Sequence, residues 1–409
     1  SLPDEIDSGH LPFLGYYLSV LWHFFGKSLL VSHLAMLPFL WIYLHFTYKI
    51  SNLIDSNNAP YIWTLLLFEP CFWTQSTLVS PDVLLMAGFA LMFYGAFKGV
   101  DFPILGGSIL MVLAGNRGTA MVFAIGIIWL WQYKHLLLKK LPWLVPAIII
   151  FCSYQLAHYN IKGWIGYHQG MPWSVSFERV DFIGVLKNIG LMVWRLMDTG
   201  RIVLCLAAMF FLFSQSKIRQ NPISKQILVF LLIVSPILAL VTLPYKYLTG
   251  HRYYMPIYFL MILFVAASLP NLWSVLKKRI LYVVILCSFF LGHFLIYPQG
   301  IAMGWDSTLA YMPYQSLRKK AIADLNTLGL NPNDVGSYFP NVSGFDVTDL
   351  SNSSKPGFAK DNPLSKEFIL ISNVMNEIPD SLYEEIKQSW KIQKEWRSGS
   401  IYLILLSKK

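Results

Sequence analysis

Repeated long apolar stretches constrain what this chain can fold into more than any other feature. A membrane-crossing helix needs about twenty mostly apolar residues. Ten such stretches lie near 28–48, 58–76, 82–98, 102–116, 118–133, 142–160, 201–215, 226–244, 254–271 and 279–297. Residues 11–25 are apolar and aromatic but short, and suit a helix lying at the membrane surface. Charged residues make up 13% of the chain, about half the share of a soluble protein, and they are unevenly spread. Residues 1–309 hold 20 Lys/Arg and 11 Asp/Glu, whereas the last hundred hold 12 and 11. The expected fold is therefore mainly α: a polytopic membrane domain over 1–300, its first external loop at 1–27, followed by a small soluble α/β domain over 301–409. In the tail, helical spacing at 315–328 and 380–389 alternates with β-like runs at 335–339, 368–371 and 401–406.

Loop charge predicts sidedness. With residues 1–27 outside, the opposite loops carry Lys49, Lys98, Lys134, Lys139, Lys140, Lys217, Arg219, Lys225, Lys277, Lys278 and Arg279 against only Asp55 and Asp101. That basic side reads as cytoplasmic, and an even number of spans returns the tail to the outside. Basic loops on a membrane protein explain the net charge of +10 without nucleic acid. Cys71, Cys152, Cys205 and Cys287 sit in or beside apolar stretches and have no metal-ligand spacing. No metal and no cofactor is expected. The chain opens on Ser1 and polar, acidic residues rather than on a leader, which suggests a preceding segment.

The polar material falls on the outer side. Asp4, Glu5 and Asp7 precede the first apolar stretch, where a partly desolvated carboxylate can act as a general base; a solvated acidic loop or a helix cap reads equally from the residues. Asp82, in Ser80-Pro81-Asp82, stands where a helix start wants an acid and also at the same membrane boundary as Asp7. Arg117 and Arg252 lie at outer helix ends, where a guanidinium either anchors at the interface or meets an anion such as phosphate. Arg252 belongs to a basic-aromatic turn with Lys246, His251 and Tyr253 that suits a lipid phosphate. His10 follows Asp7 by three residues, and a lone interfacial His is more often structural than catalytic. No phosphate-cradling glycine loop is present, so a nucleotide donor has no support.

Taken together, the acidic first loop, Ser8-Gly9-His10-Leu11-Pro12-Phe13, Tyr16-Tyr17-Leu18, Ser80-Pro81-Asp82-Val83-Leu84-Leu85 and Arg252-Tyr253 ahead of Met255-Pro256-Ile257 resemble the GT-C membrane glycosyltransferases, especially the protein O-mannosyltransferase and aminoarabinose transferase types. Where that family often has His-Pro-Pro, this chain reads His10-Leu11-Pro12. The resemblance implies a polyprenyl-phosphate sugar donor, an inverting displacement onto a glycan, lipid or protein acceptor, and no metal. It implies that Asp7, or Asp4 or Glu5, serves as base, that Asp82 is a second acid, and that Arg252, Lys246 and Arg117 hold the donor phosphate, with His251 and Tyr253 in the same turn and His10 in the acceptor loop. It also implies an additional helix before residue 1. The expected location is a bacterial inner membrane with the site on the extracytoplasmic side. Competing readings are a lipid-linked saccharide carrier or flippase, a non-catalytic membrane scaffold, and a metal-dependent oligosaccharyltransferase.

Overall fold

The structure, a computed structural model, describes residues 7, 9–166, 168–171, 174–214, 221–269, 273–297, 305–342, 344–350, 357–359, 363–374, 378 and 380–409. Asp4, Glu5, Lys217 and Arg219, named above, lie outside the described residues. The chain divides into two compact units, one of residues 1–19 and 35–293, the other of 20–34 and 294–409. Residues 20–34, expected in the first external loop and span, thus belong to the second unit.

In chain order the first helices are α1 (Phe13–Phe25), α2 (Leu29–Leu34), α3 (Leu37–Ile54), α4 (Ala59–Leu67), α5 (Pro70–Ser76) and α6 (Pro81–Lys98). Next come α7 (Asp101–Leu113), α8 (Asn116–Gln132), the single turn α9 (Leu137–Lys140), α10 (Val145–Lys162), α11 (Phe182–Met197) and α12 (Ile202–Phe213). The last three before the tail are α13 (Pro222–Thr242), α14 (Met255–Ser268) and α15 (Val275–Gly292).

Local chemistry sets several of these boundaries. Ser80 caps α6 by accepting from the Asp82 amide at 3.2 Å, Pro81 occupies the first turn, and Gly99 ends the helix in the left-handed region. Asn221 caps α13 by accepting from the Ile223 amide at 2.9 Å. The Glu69 carboxylate caps α5 by accepting from the Phe72 amide at 2.8 Å, splitting the apolar stretch 58–76 into two short helices. Gly88 and Gly107 bring α6 and α7 into backbone contact: a Cβ on Gly107 would sit 2.5 Å from the Met92 amide nitrogen. Small residues permit such close approach between membrane helices. Of α6's 18 residues, 14 are buried, and all of α14 is buried, so these two helices form the centre of the first unit. Large apolar side chains such as Trp41, Phe123, Trp131, Ile149 and Leu156 face outward from the helices around them.

Three helical stretches are long and apolar enough to cross a membrane: Leu29–Ile54, Pro81–Lys98 and Pro222–Thr242. Two bent pairs bring the number to five if each is one span: Asn116–Gln132 with 134–143, bent by 91°, and α11 with α12, bent by 104°. Ten full-length spans are therefore not what length and composition give, because several apolar stretches break into short helices. Between α10 and α12, α11 is a 16-residue amphipathic helix that gathers Lys187, Asn188 and Arg195 on the side away from its apolar face.

The second unit holds a four-stranded sheet in the order β1-β2-β4-β3. Strand β1 (Val335–Ser337) runs parallel to β2 (Phe368–Ser372), and β4 (Ile401–Lys408) is antiparallel to both β2 and β3 (Trp390–Ser398). Helix α16 (Met312–Thr327) packs on β3 and β4. After the one-turn α17 (Phe345–Thr348), α18 (Asp380–Ser389) closes a small core of Ile369, Ile371, Tyr383, Ile386, Trp390 and Leu406. Arg318 ties α16 to the loops beyond, donating to Asn341 at 2.8 Å and Asp349 at 2.7 Å. Strand β3 escapes the sequence reading because only Trp390 and Trp396 along it are buried, and charged residues fill the gaps.

Candidate functional site

The loop before α1 is fixed against the C-terminal end of α10. Asp7 is buried, and its Oδ1 accepts from the Gly9 amide at 2.9 Å while its Oδ2 lies 3.1 Å from His158 Nε2. Gly9 has φ +66°, and a Cβ there would sit 2.8 Å from the Gly166 carbonyl oxygen and 2.9 Å from the Trp164 ring, so only glycine lets the loop lie this close. Tyr154, one helical turn before His158, donates to the His10 carbonyl at 2.7 Å. His158 Nδ1 lies 3.0 Å from the Trp164 carbonyl. That oxygen only accepts, so Nδ1 carries its hydrogen. The Gly9 amide and His158 Nε2 thus fix both carboxylate oxygens of Asp7.

A second carboxylate gathers the cations. Asp82 is buried at the start of α6 and is paired with the Arg117 guanidinium. Arg117 Nη1 also donates to the Arg252 carbonyl at 3.0 Å, and its guanidinium lies 4.8 Å from the centre of the Tyr253 ring. Arg252 Nε approaches Asp82 Oδ2 at 3.9 Å, the outer limit of an ion pair, and 39% of its side chain remains exposed. Coulomb attraction at this distance is about 4 kcal/mol at a protein-surface dielectric and weakens as solvent enters. Arg252 is thus the more open of the two guanidiniums around Asp82.

His10 stands near both Asp7 and Arg117. It touches Gly115, its ring hydrogen-bonds the Asn116 side chain, and it feels the charges of both Arg117 and Asp7. Burial, followed by the Arg117 charge, holds its pKa below the usual histidine value, while Asn116 and Asp7 pull the other way. His10 Nδ1 is buried and has no partner among the described residues.

A further charged cluster lies beneath the 250–253 turn. His251 Nε2 lies 2.7 Å from Asp198 Oδ2, and burial pushes the ring's pKa down to about 4, against a smaller upward pull from the Asp198 hydrogen bond. The neutral ring therefore donates through Nε2 to Asp198. Arg195 Nη1, 3.3 Å from the same nitrogen and 3.2 Å from Asp198 Oδ2, is then a charge neighbour of the ring and a donor to the carboxylate. Arg201, fully buried, pairs with Glu69 at 2.6 Å, donates to the Asp198 carbonyl at 3.1 Å and stacks 4.1 Å from the Tyr258 ring. These residues surround the break between α11 and α12, where Thr199 and Gly200 both adopt positive φ.

Asp7, His10, Asp82, Arg117, Arg252 and Tyr253 are thus joined by direct contacts or mutual electrostatic influence. Two of the expected phosphate-holding residues stand elsewhere. His251 is buried and committed to Asp198, and Lys246 pairs on the exposed surface with Glu178 at 3.2 Å. His158, Tyr154, Arg195, Asp198 and Arg201 were not singled out from sequence. Tyr154 and His158 carried no distinct signal, since α10 also holds Ser153, Gln155, Asn160 and Lys162. Among the described residues no group of three or more His, Cys, Asp or Glu could hold a metal ion. Comparison with protein-family models, with curated proteins and with solved structures finds no match.

Proposed function

We propose that the protein is a membrane glycosyltransferase that moves a sugar from a polyprenyl-phosphate donor to an extracytoplasmic glycan, lipid or protein acceptor. The observation that carries this reading is the meeting of Asp7, His10, Asp82, Arg117 and Arg252, from four separate segments, in a mainly apolar helical body. Asp7 takes the proton of the acceptor hydroxyl as that oxygen attacks the anomeric carbon. The bond from that carbon to the phosphate oxygen breaks, and the phosphate leaves with the electron pair toward Arg252. Arg117 keeps Asp82 neutralised and holds the backbone of the Arg252 turn in place. His10, with its buried unpartnered nitrogen, can meet the acceptor. By the loop-charge rule the side carrying Lys49, Lys139, Lys140, Lys277, Lys278 and Arg279 is cytoplasmic, so this reading assigns the site to the extracytoplasmic face of a bacterial inner membrane.

One observation favours a second reading. The break between α11 and α12 is lined by Asp198, Arg195, Arg201 and Glu69, all buried, and broken helices with polar linings hold cargo in membrane carriers. A lipid-linked saccharide carrier is the alternative. Transfer from a panel of radiolabelled polyprenyl-phosphate sugars, in membranes holding wild type, Asp7→Asn, Asp82→Asn or Arg252→Ala, separates the two. The transferase reading expects transfer by wild type, its loss in Asp7→Asn, and a raised donor KM in Arg252→Ala. Movement of labelled lipid across the bilayer with no sugar transfer would establish the carrier.

A further inference from the structure

At the other end of α4 from Glu69, a groove opens between α4 and α15. Its volume is about 340 Å³, at the low end for ligand cavities and enough for part of one acyl chain. Tyr61, Thr64, Leu65, Tyr282, Val283 and Leu286 line it. The wall is apolar apart from Thr64 and the two tyrosines, whose rings stack at 6.2 Å.

The mouth of this groove is basic. The Arg279 guanidinium sits 5.2 Å from the Tyr61 ring centre and is exposed. Lys278 pairs with Asp55 at 3.3 Å, and Asn58 donates to the same carboxylate at 2.8 Å. Two cations therefore face one acid. Beside them stand two polar atoms that a packed interior does not normally leave unsatisfied. The Tyr282 hydroxyl and the Asn58 side-chain carbonyl are both buried and have no partner among the described residues. An apolar slot with a cationic mouth and an orphaned hydroxyl matches one chemistry: an acyl chain ending in a phosphodiester, whose oxygens accept from Arg279 and the tyrosine.

We propose that the groove between α4 and α15 is a binding site for an anionic phospholipid, with an acyl chain along Val283 and Leu286 and the headgroup phosphate on Arg279. By the distribution of basic loops this end faces the cytoplasmic leaflet, opposite the Asp7–Asp82 cluster, so the site is independent of the proposed transfer chemistry.

The full chain, purified in neutral detergent and stripped of lipid, would be mixed with phosphatidylglycerol or phosphatidylcholine of identical chains. Bound lipid would be counted by native mass spectrometry. The expected result is at least a fivefold preference for phosphatidylglycerol, falling to near parity in the Arg279→Ala variant, which replaces an exposed side chain. Tyr282→Phe should weaken phosphatidylglycerol binding while leaving the melting temperature in detergent unchanged or raised, since it removes a buried unpaired hydroxyl. Val283→Trp, which fills the slot, should lose both lipids. Equal retention of the two lipids by wild type would overturn the proposal, as would a preference that survives Arg279→Ala.

Discussion

Asp7 and His158, 151 positions apart in the chain, meet at 3.1 Å through Oδ2 and Nε2. The histidine presents both ring nitrogens to oxygens, so it fixes the carboxylate's orientation. If Asp7 is the base, Asp7→Asn removes the proton acceptor and should lower sugar transfer by roughly 10²–10⁴-fold, the usual contribution of general base catalysis. His158→Gln keeps a donor but loses the two-sided anchor. A loss on the order of tenfold is expected, equivalent to one hydrogen bond. Initial rates of transfer in membranes with matched expression check both, and equal rates for His158→Gln and wild type would remove the positioning role.

The buried His251 predicts a pH dependence of stability. Its folded pKa, about 4, lies below the ordinary 6.5. Protonation is thus harder in the folded state than in the unfolded one. The stability this ring contributes is complete above pH 6.5 and is lost as pH falls through the window down to 4. The full loss is roughly 3 kcal/mol at 1.36 kcal/mol for each pKa unit. Thermal melting in detergent between pH 7 and 4.5 should show the decline, and His251→Asn should flatten it. A variant with the same slope as wild type would assign the decline to other groups.

Arg201 and Glu69 form the most deeply buried ion pair among the described residues. Removing one partner leaves the other charge buried and uncompensated, so Arg201→Met should destabilise the protein by about 3–5 kcal/mol. Glu69→Gln/Arg201→Met removes both charges and should recover a large part of that loss. Denaturant titration of single and double variants tests this, and additive losses would show that the two side chains act separately.

Gly200 turns the chain between α11 and α12 with φ +85°, and a Cβ there would overlap the Ser288 carbonyl of α15. Gly200→Ala should cost about 1–3 kcal/mol from backbone strain alone. Because Thr199 and Arg201 flank it, the substitution should also loosen the Asp198–His251 contact. The melting temperature should fall, and the pH-dependent decline ascribed to His251 should shrink with it. A lower melting temperature with an unaltered pH profile would confine the effect to the turn.

How much of this was legible in the sequence differs from residue to residue. Asp82 could be read because Ser80-Pro81 announces a helix start, and that is where the structure puts it. Arg252 stood out as a cation in an aromatic turn. Residues 380–389 declared themselves as a helix, and 401–406 as a strand, through simple periodicity. His158 did not stand out, because a single histidine in an apolar helix carries no pattern of its own; its meaning comes from a loop 151 residues away. Arg195, Asp198 and Arg201 were hidden for a related reason. No spacing in the sequence announces their partners, and only the three-dimensional pairing of each with another makes a buried position tolerable. His251 shows the reverse error: a basic residue in a basic turn suggested an anion site, yet the ring faces inward to Asp198.

Helix α14 has no exposed residue along its fourteen positions. In the finished molecule, lipid never touches it. An apolar segment gains nothing from changing hydrocarbon neighbours for protein ones except closer contact, so what holds α14 in place is the fit of its surface rather than its oiliness. Mutational tolerance there should follow side-chain volume and shape. Exchanges among aliphatic residues of different bulk would be felt, whereas on the outward faces of α3 and α10 the same exchanges would pass almost unnoticed. Two classes of equally greasy helix, indistinguishable by hydropathy, would thus diverge in sequence at different rates.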